Sequence, residues 1–264
     1  MFAENRQNKI YEKIQNCGAV TTTELVSEFN VSIETIRRDL LSMEQRGLIK
    51  RVHGGAVEVS GMKQFTSLKV RNEEFSEEKR MLSITAAEFV NEGDIISIDA
   101  GSTAMAFAQI LKEKFSKLTV VTHSLDVFNT LCYNKKFNVI LCGGSFNREE
   151  NAFYGSLALD MLRKTHVEKA CIFPWAVSIE FGICDYQDDL LQIQKEMIKN
   201  ADNVYVLSDS SKFEKKALLK LDDMKNDFYY ITDNNLPVGL EKLYRENNIN
   251  IFKGAKKKWI HFWL

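Results

Sequence analysis

The sequence predicts a two-domain α/β protein, in which a small helical domain precedes a doubly wound α/β domain. Residues 1–59 contain three amphipathic helical patterns followed by a strand, a turn and a second strand. From Asp94 onward, strand-like apolar runs alternate with helical stretches, which is typical of a mainly parallel sheet. A chain of 264 residues is long enough for one full-sized α/β core and a small second module.

The first domain, 1–59, is expected to be a winged helix-turn-helix. Isoleucines at helical spacing predict a first helix over 5–17. Thr21 and Glu24 have the spacing of a capping box and predict the start of a second helix. A third helix is expected over about 33–46, before a glycine that supplies a left-handed exit.

The third helix is expected to have a buried apolar side and an exposed side that can read DNA. Ser32 provides the N-cap oxygen. Thr35, Arg37 and Arg38 lie in its first two turns, where short polar and guanidinium groups can reach base edges and phosphates in a major groove. The hairpin over 48–59 adds Lys50, Arg51 and His53. A capped amphipathic helix with two arginines is ordinary by itself, but its order and spacing with the hairpin favour binding to a double-stranded DNA operator.

Composition limits the other classes of function. The formal net charge is -1, so any binding to nucleic acid must be local. The five cysteines are scattered and lack Cys-x-x-Cys spacing, so we expect neither disulfides nor a metal site, and no cofactor motif is present. The N-terminus lacks the apolar core of a signal peptide, and no apolar run approaches the roughly 20 residues that span a bilayer. We expect a cytoplasmic protein without a membrane partner.

The second domain is expected over 76–252, after a polar linker at 60–75 and before a C-terminal tail at 253–264. Ser76 and two glutamates open its first helix. Seven strands are predicted, at 95–98, 118–122, 139–142, 170–173, 204–207, 228–232 and 249–252.

The loops that follow these strands are the expected ligand site. In doubly wound sheets, ligands bind beyond the carboxyl ends of the strands. The loop 99–103 follows a strand and opens a helix, so its free amides and hydroxyls suit a phosphate, although a plain strand-to-helix turn has the same pattern. Residues 122–124, 143–144 and 208–213 follow other predicted strands and can line the same rim.

Both halves of the chain resemble the DeoR family of bacterial transcriptional regulators. Residues 6–57, above all 31–40 and 47–56, resemble the DNA-binding domain of that family. Residues 76–233 resemble its C-terminal sensor domain, whose fold is similar to that of ribose-5-phosphate isomerase and the CoA transferases. The resemblance implies that the exposed residues of the third helix and hairpin face DNA, and that a phosphorylated sugar is the effector. The effector-binding residues that it implies are Asp99, Gly101, Ser102, Thr103, His123, Gly143, Gly144, Lys195 and Lys212.

The sequence departs from the family pattern within this sensor site. His123 stands where the family usually has asparagine, and 173–177, which contains Phe173, Pro174 and Trp175, replaces a glycine-rich segment. The acidic residue that normally precedes the helix turn of Lys195 is also missing. Bulky aromatic residues can stack on an altered ligand or close the pocket.

The sequence therefore favours a DNA-binding regulator, a repressor rather than an activator, of sugar or carbohydrate metabolism genes, controlled by a phosphorylated sugar. Two half-sites on DNA need two reading helices, so a homo-oligomer, dimer or tetramer, is expected. One alternative is a regulator whose α/β domain no longer binds an effector and serves oligomerisation. A sugar-phosphate isomerase-like enzyme is the less favoured alternative, because the chain has no catalytic motif and the aromatic segment opposes an acid-base site.

Overall fold

Three helices and a small antiparallel sheet form the N-terminal unit. The computed structural model describes residues 3–17, 19–52, 54–57 and 68–254, and the chain divides into an N-terminal unit, 1–66, and a C-terminal unit, 67–264. The elements of the N-terminal unit are α1 (Ala3–Cys17), β1 (Ala19–Thr21), α2 (Thr22–Phe29), α3 (Ile33–Gln45), β2 (Lys50–Val52) and β3 (Gly55–Val57). Strand β3 pairs antiparallel with both β1 and β2. The predicted winged helix-turn-helix is confirmed, and β1 is a strand that the sequence analysis did not predict.

Capping residues fix the ends of α2 and α3, as predicted. The Thr21 hydroxyl accepts a hydrogen bond from the N–H of Glu24, whose carboxylate accepts one from the N–H of Thr21. Ser32 Oγ accepts from the N–H of Thr35 at 3.3 Å. After α3, Gly47 has a φ of +71°, a conformation that glycine adopts without steric cost.

One apolar cluster fills the space between the three helices and the sheet. Its positions on α3 are three or four residues apart, which is the spacing of one helix face. At Gly55, a Cβ would lie 2.1 Å from the carbonyl oxygen of Val20, so the close pairing of β3 with β1 requires glycine. The buried members of the cluster are Ile10, Ile14, Val20, Leu25, Ile36, Leu40, Met43, Ile49 and Ala56.

A buried ion pair joins α1 to α3. Arg6 Nε donates to Asp39 Oδ2 at 2.6 Å, and Gln7 Nε2 donates to Asp39 Oδ1 at 3.1 Å. The side chains of Arg6 and Asp39 are only 7% and 5% exposed. Because an unpaired buried charge is strongly unfavourable, these contacts restrict how α3 can sit on α1.

A seven-stranded parallel sheet is the centre of the C-terminal unit. The elements of this unit are α4 (Leu68–Glu73), α5 (Ser76–Ala86), β4 (Ile95–Ile98), α6 (Ser102–Lys114), β5 (Thr119–Thr122), α7 (Leu125–Leu131), β6 (Asn138–Leu141), β7 (Ser145–Asn147), β8 (Ala152–Tyr154), α8 (Ser156–Leu162), β9 (Val167–Ile172), β10 (Ala176–Ser178), β11 (Gly182–Asp185), α9 (Asp188–Lys199), β12 (Ala201–Leu207), β13 (Leu219–Asp222), β14 (Tyr229–Thr232), α10 (Val238–Glu246) and β15 (Asn250–Lys253). The order in the large sheet is β15-β14-β12-β9-β4-β5-β6, and every neighbouring pair is parallel. Each of the seven predicted strands is one strand of this sheet. Two smaller antiparallel sheets, β10-β11-β13 and β7-β8, lie outside it.

Helices cover both faces of the large sheet. Successive residues of a strand point to opposite faces, and the core follows this alternation. Val204 and Val206 of β12 belong to an apolar cluster with residues of α8, α9 and α10, whereas Tyr205 and Leu207 belong to a second cluster with residues of α5, α6 and α7. The doubly wound α/β architecture predicted from the sequence is confirmed.

The predicted linker, 60–75, and the predicted tail, 253–264, each overlap an element of the C-terminal unit. Residues 68–73 form α4, although the polar composition of 60–75 gave no helical period. Residues 58–67 lie outside the described part of the chain. At the other end, β15 continues to Lys253, and the rest of the predicted tail, 255–264, is likewise outside the described residues.

We expect Asp39→Asn to destabilise α3, because it leaves the buried Arg6 without its charge partner. Breaking a buried ion pair costs about 3–5 kcal/mol. Amide hydrogen exchange of α3 in the full chain, followed by mass spectrometry, measures this loss. The matched control is Glu28→Gln, which breaks a more exposed ion pair with Lys13 in the same unit and should cost only about 0–1 kcal/mol. Equal exchange of α3 in the two variants would show that the Arg6 pair does not hold the helix.

Candidate functional site

The exposed side of α3 carries two guanidinium groups that have no partner in the described part of the chain. Arg37 and Arg38 are exposed, and neither makes a hydrogen bond or ion pair with a described residue. Thr35 is half-buried, with its hydroxyl 3.0 Å from that of Ser32 at the start of the helix. The opposite side of α3 is buried. Unpaired cations on a packed helix are available to a polyanion such as DNA.

The hairpin of β2 and β3 is tied to α3 through Arg51. Its N–H and its Nε donate to the two carboxylate oxygens of Glu44, at 2.9 and 2.7 Å. These hydrogen bonds lower the pKa of Glu44. Arg51 was expected to contact DNA phosphate, and the structure gives it a second role in holding the hairpin against α3. Of the other predicted hairpin residues, Lys50 is placed by its backbone in β2, and His53 lies outside the described residues.

Most of the predicted effector residues lie where the strand order reverses. The chain proceeds from β4 through β5 to β6 on one side, and from β9 through β12 to β15 on the other. A crevice opens at such a point in doubly wound sheets, beyond the carboxyl ends of the strands. Asp99 follows β4, His123 follows β5 and Phe173 follows β9. The structure therefore brings these three loops to one edge of the sheet.

Asp99 is the centre of a buried hydrogen-bond network. His123 Nε2 lies 2.8 Å from Asp99 Oδ1, and His123 Nδ1 lies 2.8 Å from the carbonyl oxygen of Phe153. Asp99 Oδ2 accepts from the N–H of Phe173 at 3.2 Å and from Gln194 Nε2 at 2.9 Å. Asp99 and His123 are 2% and 1% exposed. Both oxygens of the carboxylate are thus used inside the protein.

The predicted glycine loops have two different roles. Gly101, with a φ of +121°, precedes α6, and a Cβ there would meet no atom within 4 Å, so space remains beside it. The hydroxyl of Thr103 is buried and has no hydrogen-bond partner among the described residues. Gly144 instead allows close packing, because its Cβ would lie 2.4 Å from the carbonyl oxygen of Tyr154 in the β7-β8 hairpin. The start of α6 therefore keeps free polar groups, whereas Gly144 supports the hairpin.

Helix α9 places Gln194, and not Lys195, beside Asp99. Gln194 is buried, and its Nε2 donates to Asp99 and also to Asp185 at 3.1 Å. Its Oε1 is buried and has no hydrogen-bond partner among the residues that the structure describes. Lys195 is exposed on the helix surface. Consecutive helix residues point about 100° apart, so a shift of one position moves a side chain out of the site. The expectation that Lys195 adds charge to the site does not agree with its position.

Two cationic side chains lie beside the Trp175 ring, and a third interacts electrostatically with both of them. The Arg71 guanidinium and the Lys212 ammonium are 5.9 and 6.0 Å from the ring centroid, within the range of cation–π attraction. Lys212 also donates to the carbonyl oxygen of Pro174 at 3.3 Å. Lys79 of α5 is buried, and its ammonium donates to the carbonyl oxygens of Arg71 and Glu74. We call Arg71, Lys79 and Lys212 the cation cluster.

Burial and nearby charges shift the pKa values of several side chains in this region. Burial, together with the positive charge of Lys212 and, to a smaller extent, of Arg71, lowers the pKa of Lys79 to about 8. Burial also lowers the pKa of Lys212, an effect that nearby Asp209 opposes. On the acidic side, burial raises the pKa of Asp185 to about 6 and raises that of Glu150. These groups therefore interact electrostatically within one poorly hydrated region.

The arrangement favours binding of an anion over catalysis or metal binding. The cation cluster supplies charge, Trp175 supplies an aromatic face, and the start of α6 supplies free amides and hydroxyls. Within the described residues, no three His, Cys, Asp or Glu side chains are grouped to hold a metal ion.

None of the described helices has the length and apolar character to cross a bilayer.

Comparison with known proteins identifies the family. The model of the DeoR C terminal sensor domain matches residues 74–234, and that of the DeoR-like helix-turn-helix domain matches residues 6–61. The chain belongs to the DeoR family. It is 29% identical to the L-fucose operon activator of Haemophilus influenzae, over 92% of this chain and 97% of that protein, and 29% identical to the glycerol-3-phosphate regulon repressor of Escherichia coli, over 95% and 99%. Among solved structures, a D-ribose-5-phosphate isomerase in complex with phospho-erythronic acid is similar, with 18% identity, a TM-score of 0.40, and coverage of 52% of this chain and 54% of that one.

Membership of the DeoR family makes this chain a DNA-binding transcriptional regulator and not an enzyme. Both domain models and the two relatives describe regulators. The resemblance inferred from the sequence motifs is confirmed.

Several residues around Asp99 were missed by the sequence analysis. Arg71, Lys79 and Glu150 come from segments that no strand-end or glycine pattern marks, so only the fold brings them to the site. Gln194 was missed because the resemblance to the family implied its neighbour Lys195, and no pattern in the sequence marks Gln194 itself. Asp185 could have been found, because it is an acidic residue at the end of a buried apolar run.

We expect the stability of the chain to carry a pH-dependent contribution from Asp185. Its pKa is about 6 in the folded chain, against 3.8 for an ordinary aspartate. Between these values the folded state holds a proton that the unfolded state has lost, so this contribution to stability falls as pH rises from about 4 to 6. Each pKa unit corresponds to about 1.4 kcal/mol. Asp185→Asn removes the titration, so the variant should gain stability relative to the parent as pH rises.

Urea unfolding at pH 4, 5, 6 and 7 measures this difference. The matched control is Asp189→Asn, an exposed aspartate four residues further along the chain, in the first turn of α9, and it should not show the gain. Parallel pH profiles for the parent and Asp185→Asn would contradict the assignment.

Proposed function

We propose that this regulator represses genes of sugar or carbohydrate metabolism and that a phosphorylated sugar bound to the C-terminal unit controls it. The observation that carries the proposal is the cation cluster beside Trp175 at the strand ends. Arginine and lysine bind phosphate through charge-assisted hydrogen bonds, and an aromatic face suits the apolar face of a sugar. The glycerol-3-phosphate repressor supports both the sign of regulation and a phosphorylated effector. The L-fucose operon activator makes activation the alternative sign.

The DNA contacts in this proposal belong to α3 and the hairpin. Arg37 and Arg38 read base edges, and Ser32 and Thr35 contact DNA from the start of α3. Lys50, Arg51 and His53 contact the phosphate backbone. The unpaired state of the two α3 arginines supports this assignment, because groups that already lack protein partners lose no contacts when they enter a groove.

The effector contacts belong to the loops around Asp99. Gly101, Ser102 and Thr103 cradle the phosphate, with Lys212 adding charge. Asp99 and His123 orient the sugar hydroxyl groups, Gly143 lines the rim, and Gly144 shapes it by supporting the hairpin. Gln194 takes the place that the sequence analysis gave to Lys195. The buried hydroxyl of Thr103 and the buried Oε1 of Gln194 support this site, because neither polar atom has a hydrogen-bond partner within the described segments.

A regulator that no longer senses an effector is the second candidate. The aromatic residues Phe173 and Trp175 and the fully bonded carboxylate of Asp99 favour it, because they fill and satisfy the region that a sugar would enter. In either case we propose a homo-oligomer, since paired half-sites need paired α3 helices. Location in the cytoplasm, where bacterial DNA lies, is also part of the proposal.

We expect Arg37→Ala and Arg38→Ala to relax the choice of DNA sequence. Each removes a base-reading arginine, worth about 1–3 kcal/mol of discrimination. Lys50→Ala should instead weaken binding to all sequences and reduce the slope of log affinity against log salt concentration by about 1. The operator is first selected from genomic DNA, and titrations of specific and scrambled duplexes across salt concentrations then measure both effects. Lys112→Ala, an exposed lysine of α6, is the control. Unchanged binding in all three variants would refute the assignment of α3 and the hairpin.

We expect one or more sugar phosphates to raise the unfolding temperature of the chain, while the matching unphosphorylated sugars do not. A ligand that binds only the folded state stabilises it by about 2.7 kcal/mol at one hundred times its dissociation constant. A thermal-shift panel of sugar phosphates and free sugars makes this comparison. If no member of the panel shifts the transition, the regulator without an effector is supported instead.

A further inference from the structure

Arg71 links the effector region to the segment that leads from the DNA-binding unit. It lies on α4, the first described helix after residues 58–67, which follow the hairpin. Its guanidinium forms an ion pair with Glu150 and lies 5.9 Å from the centre of the Trp175 ring. The Arg71 and Glu150 side chains are only 13% and 3% exposed. One residue of α4 thus contacts both an acidic loop and the proposed effector region.

Charged contacts provide much of the attachment of α4 to the C-terminal unit. The ammonium of Lys79 donates to the carbonyl oxygen of Arg71, and to that of Glu74 at 2.5 Å. Leu68 is the buried apolar side chain of α4 among those described, while Val70 is 43% exposed. A change in the partner of Arg71 would therefore act on a helix with little apolar anchoring.

Glu150 presents to Arg71 the same kind of group that an anionic ligand would present. A guanidinium recognises a carboxylate and a phosphate through the same donors. Glu150 lies in the loop between β7 and β8, and Asn147 Oδ1 accepts from the N–H of Glu150 at 3.1 Å, so the loop holds the carboxylate in position. Lys212 also lies beside Trp175 and is close enough to Arg71 and Glu150 to interact with both electrostatically. In the structure, Arg71 of the cation cluster is thus paired with the carboxylate of Glu150, a residue of the protein itself.

We propose that Glu150 is an internal competitor for Arg71, displaced when the phosphate of the ligand binds between Arg71 and Lys212, and that this exchange of partners moves α4. The inference rests on the proposed function, which supplies the phosphorylated ligand. To the proposed function it adds Arg71 as a residue that binds the ligand. It also adds a way in which ligand binding can affect α4, the helix that follows the segment from the DNA-binding unit. A ligand shifts a conformational equilibrium only by binding one state more tightly. The phosphate and the Glu150 carboxylate are both anions and repel each other at Arg71, so in this proposal the ligand binds more tightly to the state in which Glu150 has moved away.

Inorganic phosphate, titrated calorimetrically into the full chain, tests the competition. Glu150→Gln keeps the size of the side chain but removes the competing charge, so phosphate affinity should rise at least about tenfold. Glu149→Gln, the exposed neighbour, is the matched control and should leave the affinity unchanged. The double variant Glu150→Gln, Arg71→Gln should lose the gain. Failure of folded Glu150→Gln to bind phosphate more tightly than the parent overturns the proposal.

A second measurement tests the movement of α4. Without ligand, Glu150→Gln should change operator affinity in the same direction as a sugar phosphate changes that of the parent, and amide exchange of residues 68–74 should change with it. Unaltered exchange and operator affinity in Glu150→Gln would overturn the role of α4. If Glu150→Gln does not fold, Glu150→Asp, which shortens the competing side chain, should give a smaller gain in phosphate affinity, and no gain overturns the proposal.

The outcomes also separate this proposal from the proposed function. If sugar phosphates bind the parent but Glu150→Gln behaves like Glu149→Gln, the effector class stands and the competition fails. If Glu150→Gln gains phosphate binding but no sugar phosphate acts on the parent, the competition stands and the effector class fails.

Discussion

Burial of the Asp99 carboxylate is the constraint on which the C-terminal unit depends. A buried charge is tolerated only when its lone pairs are satisfied. Asp99 achieves this with donors from the loops after β5 and β9 and from α9, namely His123, Phe173 and Gln194. The loops at the point where the strand order reverses must therefore assemble together. One carboxylate thus couples four separate segments at the place where the fold offers a crevice.

In the N-terminal unit, some charged side chains are likewise paired inside the protein, whereas two on its surface are not. The buried Asp39 is paired with Arg6, and Glu44 is paired with Arg51, so these charges serve the structure. Arg37 and Arg38 have no described partner. Among the charged residues of α3, Asp39 and Glu44 thus help to hold the unit together, and the two adjacent exposed arginines are the ones that we propose for contact with DNA.

Local patterns predicted the elements of this protein better than the site that they form. Periodicity and caps were enough for α3 and the seven parallel strands, because these signals lie within each segment. Arg71 and Glu150 are separated by 79 positions, and no local pattern indicates that they meet. In α9, the resemblance to the family implied Lys195, whereas the residue beside Asp99 is its neighbour Gln194. Side-chain direction in a helix is sensitive to phase, so residue roles carried over by motif alone are fragile there.

The aromatic segment that departs from the family pattern can be understood from the volume that it fills and the charges that surround it. Trp175 fills volume but also offers its face to Arg71 and Lys212. Glu150 forms an ion pair with Arg71, so the charge of this arginine is compensated within a buried region. Under the proposed competition, the site is stable without a ligand because Glu150 supplies the anion, and it accepts only a ligand whose phosphate binds the cations better than Glu150 does. Such competition raises the ligand affinity that is needed for binding. It also couples binding of the ligand to displacement of the Glu150 carboxylate.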